Sequence, residues 1–281
     1  MMTIFTSPKN FQGHINVIQN NAIRSWTLLR PKCDIILFGN EDGTAEAAEK
    51  FSAHHIPRVE CNEYGTPLIS AMFKTAQEMP GYPLVGYVNA DIILLSDFIP
   101  ALQRVLWPAF LVVGRRWNIG IKEPVDFSNA DWEKQLRTQL LKAGKLHPPT
   151  GIDYFAFPRG QYRDIPPFAV GRAGWDNWII YHTRGMKIPV IDATKAITAV
   201  HQNHDYSHHP AGKAGVWGGA EARQNLTLAG GHKHVFNIHD ANWVLSSRGV
   251  RRACPIRSLY QSGLRLVESI IRALKRTPPP G

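Results

Sequence analysis

The sequence predicts an α/β fold with a mostly parallel, Rossmann-like central sheet flanked by helices. Three observations support this prediction. Strand and helix signals alternate over residues 3–95, polar residues follow several strands, and a chain of 281 residues with 44% hydrophobic residues can bury a large core. No apolar run is long enough to cross a bilayer and no signal peptide opens the chain, so we expect a cytoplasmic protein.

The first half of the chain reads as βαβαβαβ. Apolar, β-rich runs end in turn residues and predict strands. In the segments between them, apolar residues recur at helical spacing and predict helices, with Thr44 as an N-cap and Thr66-Pro67 as a helix start. The predicted strands are 3–8, 33–43, 55–60 and 83–95, and the predicted helices are 11–29, 44–54 and 66–78. This order implies parallel strands with helices on both faces of the sheet.

The second half has a less regular pattern. A helix (98–106) leads to a strand (109–117), an amphipathic helix (128–143) and a further strand (151–160). A long loop at 161–178 then precedes a helix at 179–185, and two short strands follow within 187–204.

A polar pair, Asn89 and Asp91, interrupts the apolar run at 83–95. In parallel sheets, ligands bind at the carboxyl ends of the strands, where residues 6–9 and 39–42 are also expected. Oxygen ligands at such a place suit Mg²⁺ or Mn²⁺ together with a diphosphate. An ordinary turn at a strand end is the alternative interpretation.

Two further segments carry candidate chemistry. Asp176 stands near two tryptophans in "GWDNW" at a predicted helix start, where it is either a first-turn or N-cap residue or a general base. His201 ends the apolar run "AITAV" in a histidine-rich segment, and we favour it over its neighbours as a functional residue. No zinc-type spacing is present there.

Over residues 1–205 the chain resembles the GT-A class of nucleotide-sugar-dependent glycosyltransferases. The resemblance rests on the order of the motifs along the chain: the βαβαβαβ unit, the polar strand end, the "GWDNW" helix start and then His201. The resemblance implies that Asp91 binds the metal, with Asn89 in the place of the first Asp of a DxD motif, and that His201 is a late metal ligand. It also implies that Asp176 is the base of an inverting transfer; if Asp176 is only a cap, a retaining reaction stays open. Residues implied to hold the nucleotide are Thr6, Pro8 and Glu41, beside Asn89 and Asp91.

The resemblance further implies a UDP- or GDP-linked sugar donor, a Mn²⁺ or Mg²⁺ cofactor and a glycan, lipid-linked or small-molecule acceptor. Residues 1–250 would form one catalytic domain, with a donor-binding half at about 1–115 and an acceptor-side half at about 116–250. On the acceptor side we place Trp175, Trp217, Glu221 and Asn225, although an ordinary surface helix also explains the last two.

Residues 251–281 are predicted to form a basic amphipathic helix and tail. Such a helix can contact an anionic membrane surface, the domain itself or a partner.

The net charge of +10 also permits a non-enzymatic module that binds membrane or nucleic acid. Nucleic acid is disfavoured, because the basic residues are not interleaved with aromatic residues in a recognisable motif. Nucleotidyl transfer is the other enzymatic interpretation, although residues 6–14 offer only Lys9 and Gly13 as a phosphate loop.

Overall fold

The computed structural model describes residues 2–205, 212–254 and Gly263. The strands are β1 (Met2–Thr6), β2 (Asp34–Phe38), β3 (His54–Ile56), β4 (Leu84–Val88), β5 (Ile92–Leu94), β6 (Leu111–Ile119), β7 (Lys145–Leu146), β8 (Ile152–Pro158), β9 (Val190–Asp192), β10 (Ala199–Gln202), β11 (Trp243–Ser246) and β12 (Gly249–Arg252). The helices are α1 (Gly13–Thr27), α2 (Thr44–Phe51), α3 (Ile69–Glu78), α4 (Phe98–Leu102), α5 (Trp132–Ala143), α6 (Trp175–Gly185), α7 (Gly212–Gly218) and α8 (Ala220–Leu228).

The main sheet has the strand order β12-β11-β9-β6-β8-β4-β1-β2-β3. Strands β4, β1, β2 and β3 are parallel, as the alternation of strand and helix signals predicts. Strand β8 runs antiparallel between β4 and β6, so residues at its start lie beside the carboxyl end of β4. The predicted α/β class, with a central sheet flanked by helices, is confirmed.

Apolar residues cover both faces of this sheet because successive side chains of a strand point to opposite sides. Ile4 belongs to the core that α1, α2 and α4 cover, and the neighbouring Phe5 belongs to the core under α3 and α6. Phe5 packs edge-on against Phe73 of α3 with ring centroids 5.0 Å apart. On the other face, the fully buried Trp26 donates its indole N–H to the Ile92 carbonyl at 2.9 Å. The sheet is therefore a rigid base for the residues at its edge.

The apolar run at 83–95 forms two strands, rather than the single strand predicted. The residues between β4 and β5 make a tight turn in which the Ile92 N–H donates to the Asn89 carbonyl at 3.1 Å. The turn holds Asn89 and Asp91 at the sheet edge, and both side chains line a cleft there.

Two helix starts differ from the prediction. Gly43, with φ of 85°, is the N-cap of α2, and Thr44 is buried without a capping hydrogen bond. Helix α3 begins at Ile69 and not at the Thr66-Pro67 pair, because Pro67 and Leu68 form β-bridges with Cys61 and Ala169 and Leu68 is extended.

The C-terminal boundary also differs from the prediction. Strand β12 pairs antiparallel with β11 as far as Arg252, so the sheet extends two residues past the expected domain end. The predicted amphipathic helix lies almost entirely outside the described residues. Within residues 2–205 and 212–254, no helix combines the length and apolar character needed to cross a membrane.

Candidate active site

A cleft of about 700 Å³ opens at the carboxyl ends of the parallel strands. Segments that follow β1, β2, β3 and β4 all line it, as the strand order predicts for a ligand site. The start of β8, the loop before α6 and the end of β10 complete its walls. Its charged and imidazole side chains are Lys9, Glu41, Asp91, Arg116, His147, Asp153, Arg172, Asp176, His201 and His204.

Asp91, His201 and His204 form a cluster of cation ligands in this cleft. One ligand atom from each lies within 4.8 Å of the other two. The Asp91 Oδ2 atom is 3.1 Å from His204 Nε2 and 3.5 Å from His201 Nε2. Although burial alone would raise it, the two imidazoles hold the pKa of Asp91 well below its usual range. The predicted pair Asp91 and His201 is therefore brought together.

Strand pairing fixes this cluster. Strand β10 runs antiparallel to β5 with His201 opposite Ile92, one residue from Asp91. The buried Gln202 side chain donates to the Asp91 carbonyl at 3.1 Å and to the Ile18 carbonyl at 2.8 Å. The backbone at Asp91 is thus held between β10 and α1.

The donor set fits a divalent metal. One carboxylate and two imidazoles are common ligands of first-row divalent cations, and they leave coordination positions for substrate oxygens. Asp91 Oδ1 and His201 Nδ1 are buried without a hydrogen-bond partner in the part of the chain that the structure describes. Unsatisfied polar atoms at a buried site are costly unless a ligand uses them.

The ligand chemistry predicts a preference between metals. Since Mg²⁺ prefers oxygen ligands and imidazole suits transition metals, Mn²⁺ should bind at least about tenfold more tightly than Mg²⁺. Replacing His204 with Ala should weaken Mn²⁺ binding and reduce this difference. Calorimetric titration of both metals into the two proteins measures the effect. Equal affinities for Mn²⁺ and Mg²⁺ in the unaltered protein would contradict this assignment.

Asn89 belongs to a second polar network in the cleft. Its Nδ2 donates to Asp153 Oδ1 at 2.6 Å, and its backbone N–H donates to the Asp153 carbonyl at 2.9 Å. The same Asp153 oxygen accepts a charged hydrogen bond from Arg116. Asp153 is 4% exposed, so this is a largely desolvated network.

Asp176 lies in the first turn of α6, two residues after the N-cap Gly174. With φ of 107°, Gly174 has a conformation that other residues rarely adopt, and it turns the chain into the helix. Burial raises the pKa of Asp176 to about 7; backbone N–H groups at the helix start oppose the rise, and the charge of Asp153 adds to it. Within the described residues, Asp176 Oδ1 is buried and accepts no hydrogen bond. A carboxylate with this pKa is suited to proton transfer near neutral pH.

Cationic side chains also reach the cleft. Lys9 follows β1, and burial lowers its pKa even though the charge of Asp91 opposes this shift. Arg172 precedes α6 and is held by Glu221, whose Oε2 accepts from its Nε at 2.8 Å and its Nη2 at 2.7 Å. Such groups can stabilise the charge of a bound phosphate.

Most of the predicted site residues line the cleft: Pro8, Glu41, Asn89, Asp91, Trp175, Asp176, His201 and Trp217. Three others do not. Thr6 is fully buried within β1. Asn225 is 1% exposed and bonds both the N–H and the carbonyl of Ala169. Glu221 is 8% exposed and bonds Arg172 and Asn62. The last two predictions are corrected: these side chains hold loops of the cleft instead of facing an acceptor.

Sequence reasoning missed several lining residues. His204 falls among the histidines expected in a loop, although its spacing of three from His201 is a usable signal. Tyr64 is 57% exposed and lines the cleft with a large aromatic side chain. Arg116 and Asp153 lie on segments that read only as buried strands, and only the pairing of β8 places Asp153 beside Asn89.

No protein-family model matches the chain, and no curated protein matches it significantly. Similar solved structures include glucosyl-3-phosphoglycerate synthase from Mycobacterium tuberculosis with Mg²⁺ and UDP, at 14% identity and a TM-score of 0.46, covering 83% of this chain and 80% of that chain. The same synthase with Mn²⁺, UDP-glucose and phosphoglyceric acid has 17% identity and a TM-score of 0.45, with 83% and 80% covered. TarS from S. aureus has 10% identity and a TM-score of 0.34, covering 42% of this chain and 36% of that chain. At these identities and TM-scores, the function has to be inferred from the residues of the cleft.

Proposed function

We propose that this chain is a metal-dependent glycosyltransferase that moves a sugar from a nucleotide-sugar donor to an acceptor hydroxyl with inversion. One observation carries the proposal. A single cleft at the carboxyl ends of the parallel strands holds a cation-ligand cluster, Asp91 with His201 and His204, and a separate carboxylate, Asp176, with a raised pKa. The reaction needs these two functions, charge stabilisation and proton removal.

Departure of a nucleoside diphosphate builds negative charge on the diphosphate oxygens. A divalent metal on Asp91, His201 and His204 would supply a Lewis acid for that charge. Lys9 and Arg172 line the same cleft and add positive charge from the protein itself. We assign the nucleoside to the side of Pro8 and Glu41, which follow β1 and β2 and line the cleft.

The acceptor hydroxyl is a weak nucleophile and needs a base at the moment of attack. Asp176 accepts its proton in this proposal, so the product has the opposite anomeric configuration to the donor. Trp175 and Trp217 form apolar surface for the acceptor. The acceptor class is a glycan, a lipid-linked molecule or a small molecule, and binding of residues 251–281 to anionic vesicles would favour the lipid-linked class.

A screen of UDP- and GDP-linked sugars by thermal shift, with and without Mn²⁺, tests the donor assignment. Stabilisation by at least one compound that depends on Mn²⁺ is expected. The anomeric configuration of the product, read by NMR, then separates inversion from retention. If no sugar nucleotide raises the melting temperature, with or without Mn²⁺, this function is wrong.

Nucleotidyl transfer is the second candidate, since Lys9 follows β1 and lines the cleft. The two reactions release different products. Glycosyl transfer releases a nucleoside diphosphate, whereas nucleotidyl transfer from a nucleoside triphosphate releases pyrophosphate. Chromatography of the nucleotide products therefore distinguishes the two.

The raised pKa of Asp176 predicts a pH dependence of the rate. The base must be ionised, so kcat/KM should rise about tenfold per pH unit below about 7 and level off above it. A pH profile of kcat/KM between pH 5 and 9 with saturating Mn²⁺ measures this rise. A profile that is flat from pH 5 to 7 would show that Asp176 is not the base.

A further inference from the structure

Asn89 and Asp153 occupy directly opposed positions on adjacent antiparallel strands. Strands β4 and β8 pair with Val88 opposite Tyr154, and the next residues face each other just beyond the end of β4. The side chains meet there, with Asn89 Nδ2 2.6 Å from Asp153 Oδ1. Side chains in such opposed positions interact directly, and like charges there are destabilising.

The chemistry of this pair fixes the orientation of the Asn89 amide. An ionised carboxylate only accepts hydrogen bonds, so the NH₂ group of Asn89 must face Asp153. The amide carbonyl oxygen then points away from Asp153. Within the described residues Asn89 Oδ1 accepts no hydrogen bond, and Asn89 lines the cleft two residues before Asp91.

Asp153 is itself held in place. Arg116 donates to the same oxygen that Asn89 contacts, and Asp153 Oδ2 is buried with no hydrogen-bond partner within the described residues. This carboxylate therefore has little freedom to move away from residue 89. An aspartate at position 89 would bring two carboxylates together in a desolvated place, where like charges repel strongly.

We propose that Asp153 is a positioning residue of the cation site: it orients the Asn89 amide so that the Asn89 carbonyl oxygen becomes a fourth protein ligand beside Asp91. An amide at position 89 is then required by the carboxylate on the neighbouring strand. The inference rests on the metal-binding part of the proposed function and not on sugar transfer. It predicts that the carboxylate and the amide can exchange places, but that two carboxylates cannot share the site.

Three variants test this proposal: Asn89→Asp, Asp153→Asn and the double variant with both changes. The double variant has the same net charge as the unaltered protein and reverses the hydrogen bond, since the amide would then lie on β8 and donate to a carboxylate at the end of β4. Two quantities are measured without any sugar donor. They are the midpoint of urea unfolding in metal-free buffer and the Kd of Mn²⁺ by calorimetry.

We expect Asn89→Asp to unfold at lower urea concentration and to bind Mn²⁺ at least about tenfold more weakly, despite its added negative charge. The double variant should recover most of both losses. If charge alone mattered, Asn89→Asp would bind Mn²⁺ more tightly than the unaltered protein and Asp153→Asn more weakly. An Asn89→Asp variant that binds Mn²⁺ as tightly as the unaltered protein, or a double variant no better than Asn89→Asp, overturns the proposal.

Asn89→Ala keeps the test decisive if Asn89→Asp fails to fold. It removes the ligand oxygen without adding charge and should weaken Mn²⁺ binding about tenfold. Asn20→Ala, on α1 and away from the cleft lining, is the matched control and should leave the Kd unchanged. Unchanged Mn²⁺ binding by Asn89→Ala overturns the ligand assignment. If Mn²⁺ binds as expected while no sugar nucleotide binds, the proposed function fails and this inference stands.

Discussion

Replacing Asp176 with Asn is expected to slow sugar transfer strongly while making the protein more stable near neutral pH. A general base contributes about 10²- to 10⁴-fold to a rate, so kcat should fall by at least about a hundredfold. Donor binding should stay unchanged, because Asp176 lies apart from the cation-ligand cluster in this proposal. Single-turnover rates and donor Kd values measure the two effects.

The stability gain follows from the raised pKa of Asp176. With a folded-state pKa of about 7 and an ordinary value of 3.8, the folded protein holds a proton that the unfolded chain releases between these pH values. Stability of the unaltered protein therefore falls as pH rises through this window. Three pKa units correspond to an upper limit of about 4 kcal/mol above pH 7. The Asn variant does not titrate there and avoids this loss.

Urea unfolding at pH 5 and pH 8 checks this expectation, with the exposed Glu123→Gln as the control for a simple loss of charge. The Asp176 variant should gain stability relative to the unaltered protein mainly at pH 8. An Asp176→Asn enzyme with an unaltered kcat, or one whose stability advantage is the same at both pH values, would exclude the proposed role.

Replacing Asp91 with Asn is expected to remove tight Mn²⁺ binding and to slow transfer by about a thousandfold. Asp91 is the carboxylate that both imidazoles of the cluster contact. Chelation of the metal by EDTA should cause a similar loss in the unaltered protein, and added Mn²⁺ should restore the activity. The Asn variant should not recover when Mn²⁺ is added at the same concentration.

The control for this variant is Asp131→Asn, at an exposed position before α5. It removes one negative charge far along the chain from the cluster and should leave Mn²⁺ affinity and rate unchanged. Transfer at an undiminished rate in Asp91→Asn, or in the unaltered protein with EDTA, would argue for a metal-independent reaction that relies on Lys9 and Arg172.

The sequence is sufficient to predict the parts of the site that follow from local pattern. Asn89 and Asp91 interrupt an apolar run at the end of a predicted strand, and in an alternating α/β chain such positions converge at one sheet edge. The residues after β1 and β2 are predicted to lie at this edge for the same reason. His201 is recognisable because it ends a late apolar run, and this run leads into β10.

Other features depend on contacts between distant segments. Strand β8 inserts antiparallel beside β4, which no local pattern of residues 151–160 indicates, so the sequence does not predict Asp153 next to Asn89. The helix that carries Glu221 and Asn225 is predicted, but its polar face turns inward to hold loops. A pair of polar residues four apart on a helix indicates a common face and does not indicate whether that face meets ligand or protein.

The most direct test of a metal-dependent nucleotide-sugar site is calorimetric titration of UDP and GDP into the protein, with Mn²⁺ and after its removal by EDTA. We expect one of the two nucleotides to bind in the presence of Mn²⁺, with binding weakened at least about tenfold by EDTA and by Asp91→Asn. If neither nucleotide binds with Mn²⁺ present, the cleft is not a nucleotide-sugar site.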